Sequence, residues 1–218
     1  MTFMIRPNLL IFASGSADGG GSGFENLVEY SRREALGARI VAVVSNHPDG
    51  GVKKRADRLG IAFVHFPAPY TAERYQAFVS ACGADFVALS GWLKIVRGLN
   101  PRTTMNIHPG PLPRFGGPGM YGHHVHEAVL AAYHKGEITH SAVTMHFVTE
   151  EYDRGPVFFR MPVPIEPGDT AETLAARVNR TEHEWQPVVT SKVIRGEIAW
   201  DGWSSIVRGA DIRPDPTY

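Results

Sequence analysis

Asn106 and His108 stand two residues apart in the segment Asn106-Ile-His-Pro109. Side chains two apart on a strand share a face and lie roughly 7 Å from each other. The residues from 104 to 108 read as a short buried strand, in which neither type settles without polar partners. Their chemistry is complementary. A carboxamide donates to an oxygen that gains negative charge, and an imidazole titrating near neutrality moves protons. The run Pro109-Gly-Pro-Leu-Pro113 stiffens the exit. Taken alone, the pair is also compatible with a satisfied strand end that does no chemistry.

Two further segments have the composition to complete a site. In the acidic loop Thr149-Glu-Glu-Tyr-Asp-Arg-Gly-Pro156, Asp153 is the carboxylate placed to reach back to His108, raise its pKa and fix its orientation; the alternative is a solvated acidic turn. The loop Gly15-Ser-Ala-Asp-Gly-Gly-Gly-Ser-Gly23 precedes a helix, so its backbone N–H groups and the helix N-terminus suit an anion. No GK[ST] follows, and the second strand ends in Ser45-Asn46 without a carboxylate, which disfavours nucleoside-triphosphate and dinucleotide sites. A single phosphate group fits better, with a flexible connector as the alternative. His123, His124 and His126 invite a metal reading, but neither a cysteine nor HExxH spacing accompanies them. They are expected on the surface or lining a pocket, with no metal.

The elements that must hold these residues follow from periodicity. Residues 8–13 and 39–45 are continuously apolar and read as buried strands, the first ending in the glycine loop. Phe24, Leu27, Val28, Ala35 and Leu36 recur at helical spacing. Helices over 53–59 and 71–82 alternate with strands at 61–66, 86–89 and 104–108. That rhythm implies βαβ units and a Rossmann-like, mostly parallel α/β sheet with helices on both faces, ligands binding beyond the strands' carboxyl ends. The second half changes texture: a helix striped by Val125, Ala128, Val129, Ala132 and Tyr133, then extended runs at 141–148 and 157–165 that pair antiparallel. Asp169-Thr-Ala-Glu172 fits a capping box for a final helix, which Pro187 should end or kink. The tail after Trp200 is expected to be loose.

Composition narrows the class. Of 218 residues, 22 are basic and 22 acidic, so the basic excess of a nucleic-acid binder is missing. The single cysteine, Cys82, fits a reducing compartment. The apolar run at 9–13 is far below the ~20 residues that span a bilayer. A soluble, cytoplasmic protein without a membrane partner is expected.

Together these segments resemble the folate-dependent formyltransferases, and among them the phosphoribosylglycinamide formyltransferases. Asn106-Ile-His-Pro109 with Leu112-Pro113, His146-Phe-Val-Thr149 and Tyr152-Asp-Arg-Gly-Pro156 carry the likeness most strongly. Val44-Ser45-Asn46, the run from Ser90 to Val96 and Thr181-Glu182-His183 support it, and the similarity runs from about 8 to 200. The resemblance implies one formyltransferase domain over 1–218: a phosphate-binding half at about 8–108, a folate-binding and C-terminal half at about 109–200, and a tail at 201–218. It implies formyl transfer from 10-formyltetrahydrofolate to the amine of glycinamide ribonucleotide by a monomer or weak homodimer. Asn106, His108 and Asp153 would be catalytic; Gly21, Ser22, Gly23 and Glu182 would bind the acceptor. Leu93, Lys94, Ile95, Val96, Asn106, Thr149, Glu150, Glu151, Tyr152 and Asp153 would line the pterin pocket, and Arg74 is the candidate for the folate tail. Two departures stand out: the glycine loop is enlarged by residues 17–20, and Gly23 stands where that family's loop carries an asparagine.

Overall fold

The computed structural model of the protein describes residues 6–33, 35–203 and 205–207. Five parallel strands form its centre: β1 (Asn8–Phe12), β2 (Arg39–Ser45), β3 (Phe63–His65), β4 (Phe86–Ser90) and β5 (Thr104–His108). Antiparallel β6 (His140–Phe147) and β7 (Val157–Pro164) extend the same sheet, giving the order β3-β2-β1-β4-β5-β6-β7. Helices α1 (Ser22–Arg32), α2 (Gly51–Leu59), α3 (Ala72–Ala81), α4 (His123–His134) and α5 (Ala171–Ile194) connect the strands or follow them.

Strand alternation separates two cores. Leu9, Ile11 and Val43 face one side, with Phe24, Leu27, Val52, Val125, Val129 and Val189 from α1, α2, α4 and α5. Leu10, Phe12 and Val44 face the other, where α3 contributes Tyr75 and the chain after β4 contributes Trp92. Both faces of β1 are therefore buried, which is why its sequence is continuously apolar. Strand order reverses between β1 and β4, and this switch point opens a crevice beyond their carboxyl ends. The glycine loop follows β1 there, while Gly91 follows β4 and accepts from the Ser14 N–H at 3.0 Å.

Several expectations need correction. β3 is shorter than 61–66. Pro187 does not end α5, which continues to Ile194. A proline there removes the N–H that would bond the His183 carbonyl, and the Asn26 side chain donates to that oxygen instead. The capping box opens on Thr170 with Thr173, not on Asp169 with Glu172. Asp169 is held by Arg177 at 2.6 and 3.0 Å. Beyond Trp200 the chain is not wholly loose: β8 (Ile198–Trp200) pairs antiparallel with β9 (Ser205–Val207), while 208–218 lie outside the described residues. No helix among the described residues is long and apolar enough to cross a membrane.

Candidate active site

Antiparallel pairing sets the register of the site. Asn106 on β5 lies directly across from His146 on β6, and His108 across from Thr144. His146 Nδ1 donates to the Phe147 carbonyl at 2.9 Å, so in the neutral ring Nε2 is an acceptor, and Asn106 Nδ2 donates to it at 3.0 Å. The carboxamide is thereby oriented, and Nδ2 also donates, at a longer 3.5 Å, to Asp153 Oδ1. His108 is 4% exposed. The chain after Pro109 folds back until the Phe115 carbonyl accepts from His108 Nε2 at 2.7 Å. Thr144 Oγ1 secures that return by donating to the Gly110 carbonyl at 2.8 Å.

Asp153 joins them from the loop between β6 and β7. Its Oδ2 lies 3.7 Å from His108 Nδ1, and its Oδ1 lies 3.5 Å from both Asn106 Nδ2 and His146 Nε2. The Gly117 N–H donates to Oδ2 at 3.1 Å. Asp153 has φ 55°, the one positive φ outside glycine among the described residues. Aspartate tolerates that region better than most side chains, and these contacts hold it there. The loop also needs Gly155, where a Cβ would fall 1.7 Å from the Phe147 carbonyl oxygen.

The electrostatics depart from the expected pattern. Burial holds the His108 pKa below the ordinary histidine value, and outweighs the opposing pull of Asp153. Asp153 thus acts on the ring in the expected direction, but in the ligand-free protein the net shift is downward and favours the neutral ring. Asp153 stays ionised, its pKa lowered; burial opposes this, and His146, His108 and the Gly117 N–H outweigh it. Burial raises the half-buried Glu182 to about 7, against a hydrogen bond from Asn179.

A cleft of about 400 Å³ contains most of these groups. One end lies at the N-terminus of α1, lined by Gly20, Gly21, Ser22 and Gly23 with Glu182 and His183. Gly21 caps α1 with φ 82°, a left-handed conformation that suits glycine. Residues 16–19 turn outward: Gly15 bridges Gly20, and the Ser16 carbonyl accepts from the Gly51 N–H at 3.0 Å. The loop's enlargement is thus packed on the start of α2, and only its last four residues line the cleft. At position 23 a Cβ would run into Ser90 Oγ and Gln186 Oε1, so the family's asparagine would require both side chains to shift.

At its other end the cleft adjoins a slot lined by Lys94, Ile95, Val96, Thr149, Glu150, Glu151, Tyr152 and Asp153; Leu93 lines the cleft instead. Trp92, Asn106, Tyr152 and Asp153 border both spaces. The 92–96 wall is fixed from below: Trp92 Nε1 donates to Tyr75 Oη at 2.9 Å, and that hydroxyl donates to the Ile95 carbonyl at 3.1 Å. Arg74 does not reach toward the slot; it donates to the Pro67 and Pro69 carbonyls.

Of the three clustered histidines, His123 and His124 are exposed and only His126 is buried. No group of three His, Cys, Asp or Glu suited to a metal gathers among the described residues. Burial first, then His123 and His108, lowers His126 to about 4. Below pH 6.5 the unfolded chain therefore binds a proton that native His126 refuses, so stability falls as pH drops toward 4 and is unaffected above 6.5. Between pH 7.5 and 4.5 this ring should remove about 2 to 3 kcal/mol. Urea unfolding at both pH values checks it: His126→Gln should lessen the loss by about that amount, and equal losses in both proteins would refute it.

Sequence reasoning did not single out His146, Ser90 or Gln186 as site residues. His146 had a readable signal, because Val143, Met145 and Phe147 alternate with Thr144 and His146, placing the polar pair on the opposite face.

This fold and cleft define an α/β formyl-transfer scaffold, and the formyl transferase family model matches residues 8–190. The chain belongs to that family. Phosphoribosylglycinamide formyltransferase, chloroplastic, of Vigna unguiculata is 35% identical over 209 residues, covering 89% of this chain and 63% of that one; this chain thus spans less than two thirds of that relative. Phosphoribosylglycinamide formyltransferase of Bacillus subtilis (strain 168) is 30% identical, covering 87% of this chain and 97% of that one. The crystal structure of glycinamide ribonucleotide transformylase 1 from Symbiobacterium toebii superposes with a TM-score of 0.82 at 27% identity, covering 96% and 98% of the two chains.

Proposed function

We propose that this chain transfers the formyl group of 10-formyltetrahydrofolate to the amine of 5-phosphoribosyl glycinamide, a step of purine synthesis, acting in the cytoplasm as a monomer or weak homodimer without a metal. The observation that carries this reading is the meeting of two binding spaces at one reacting point. An anion seat lies at one end, a slot at the other, and Asn106 and Asp153 border both. The phosphate belongs at residues 21–23, the pterin between 94–96 and 149–153. The slot measures about 40 Å³ and shares Trp92, Asn106, Tyr152 and Asp153 with the cleft.

In the reaction the amine nitrogen bonds to the formyl carbon while the carbonyl electrons move onto oxygen. The Asn106 Nδ2 hydrogen not held by His146 gives up its long contact with Asp153 Oδ1 and donates to that oxyanion. Neutral His108 takes the proton shed by the amine at Nδ1, where Asp153 stabilises the new imidazolium. That proton passes, through water, to the folate nitrogen as its bond to the formyl carbon breaks. A half-protonated Glu182 reduces repulsion beside the phosphorylated acceptor and contacts its ribosyl glycinamide part.

The test is to incubate the protein with 10-formyltetrahydrofolate and follow tetrahydrofolate release. Release that depends on added glycinamide ribonucleotide is expected. Equal release without it would mean a hydrolase, and no release in either case would refute formyl transfer to this acceptor.

A further inference from the structure

The anion seat carries a polar pair that the reaction above does not use. Ser90 ends β4, and Gln186 lies on α5 one turn beyond Glu182. They are 6% and 2% exposed, yet both line the cleft. Ser90 Oγ donates to Gln186 Oε1 at 3.2 Å. The contact fixes the carboxamide and leaves its two Nε2 hydrogens as donors. Both side chains press on Gly23, the second residue of α1, whose N–H is one of the unbonded donors of a helix start. Two buried polar side chains from separate elements thus close the floor of the seat, in the space where any side chain at position 23 would stand.

The charges around the seat make such donors matter. No lysine or arginine lines the cleft among the described residues. Arg55 approaches within 3.4 Å of the Gly21 Cβ position, but its guanidinium is paired with Glu25 and donates to the Gly20 carbonyl. A phosphate here is held by neutral donors: backbone N–H groups of α1, the Ser22 hydroxyl, and whatever the floor supplies. A carboxamide donor beside a phosphate oxygen forms the stronger, charge-assisted kind of hydrogen bond.

We infer that Gln186, held in place by Ser90, is a specificity-determining residue that reads the phosphate of the acceptor through its Nε2 donors. The inference rests on the phosphorylated acceptor proposed above and identifies what recognises its phosphate. Gln186 acts on binding, not on the reacting atoms, so its loss falls on KM for the ribonucleotide.

The experiment compares kcat/KM for glycinamide ribonucleotide with kcat/KM for its dephosphorylated riboside, in the wild type and in Gln186→Leu, which keeps bulk but removes the donors. The ratio of the two should fall about 10- to 100-fold, as for one hydrogen bond to a charged group. In Ser90→Ala, which releases the carboxamide, it should fall at least about threefold; this smaller change keeps the test open should Gln186→Leu fail to fold. An unchanged ratio in the folded variants, including equal losses on both acceptors, would overturn the assignment. Wild-type protein unable to formylate the ribonucleotide would instead overturn the acceptor reading, and this inference with it.

Discussion

Asn106→Ala should lower kcat for formyl transfer at least about 100-fold, because removing one preorganised oxyanion donor typically costs roughly 3 kcal/mol of barrier. The size follows from the restraint on this carboxamide. One Nδ2 hydrogen is committed to His146 Nε2, which fixes the direction of the other before the oxyanion forms. The half-buried Asn106 contributes little to the apolar cores, so the variant should remain folded, with a near-normal circular dichroism spectrum. Folded Asn106→Ala within tenfold of wild-type turnover would remove the carboxamide from the mechanism.

Asp153→Asn is expected to be at least as damaging, with a loss of about 100-fold or more. The substitution keeps the side chain's shape and one oxygen for the Gly117 N–H. It removes the negative charge facing His108 Nδ1, 3.7 Å away, so the imidazolium formed during proton transfer loses its stabilising partner. The pH profile supplies a second reading. Burial already lowers the His108 pKa, and Asp153 is the first of the influences raising it. Removing that charge should move the acid limb of kcat/KM to lower pH. A shift to higher pH, or none beside a large loss of rate, would place the role of Asp153 elsewhere.

The sheet was legible because both faces of its central strands are buried: residues 39–45 and 104–108 are strands with the expected bounds. Asn106, His108 and Asp153 were legible by type, and the structure brings them together. What stayed hidden depends on contacts distant in the chain. Pro187 reads as a helix stop until Asn26 is seen to take up the orphaned His183 carbonyl. Asp169 reads as a cap until Arg177 claims it. The sign of the His108 shift was misjudged because a sequence displays the neighbouring carboxylate and not the depth of burial that outweighs it. Ser90 and Gln186 lie 96 residues apart; Ser90 opens a run that supports the family likeness, but nothing in that run marks it as a partner of Gln186, and only the packing against Gly23 makes them neighbours of the seat.

A crystal structure of the protein with glycinamide ribonucleotide and an unreactive 10-formyltetrahydrofolate analogue probes the arrangement of groups at the reacting point. The phosphate should rest on residues 21–23 and the pterin between 94–96 and 149–153. The oxygen equivalent to the formyl carbonyl should lie about 3 Å from Asn106 Nδ2. A pterin bound outside that slot, or a formyl oxygen beyond reach of Asn106 while the acceptor amine lies far from His108 and Asp153, would contradict the mechanism.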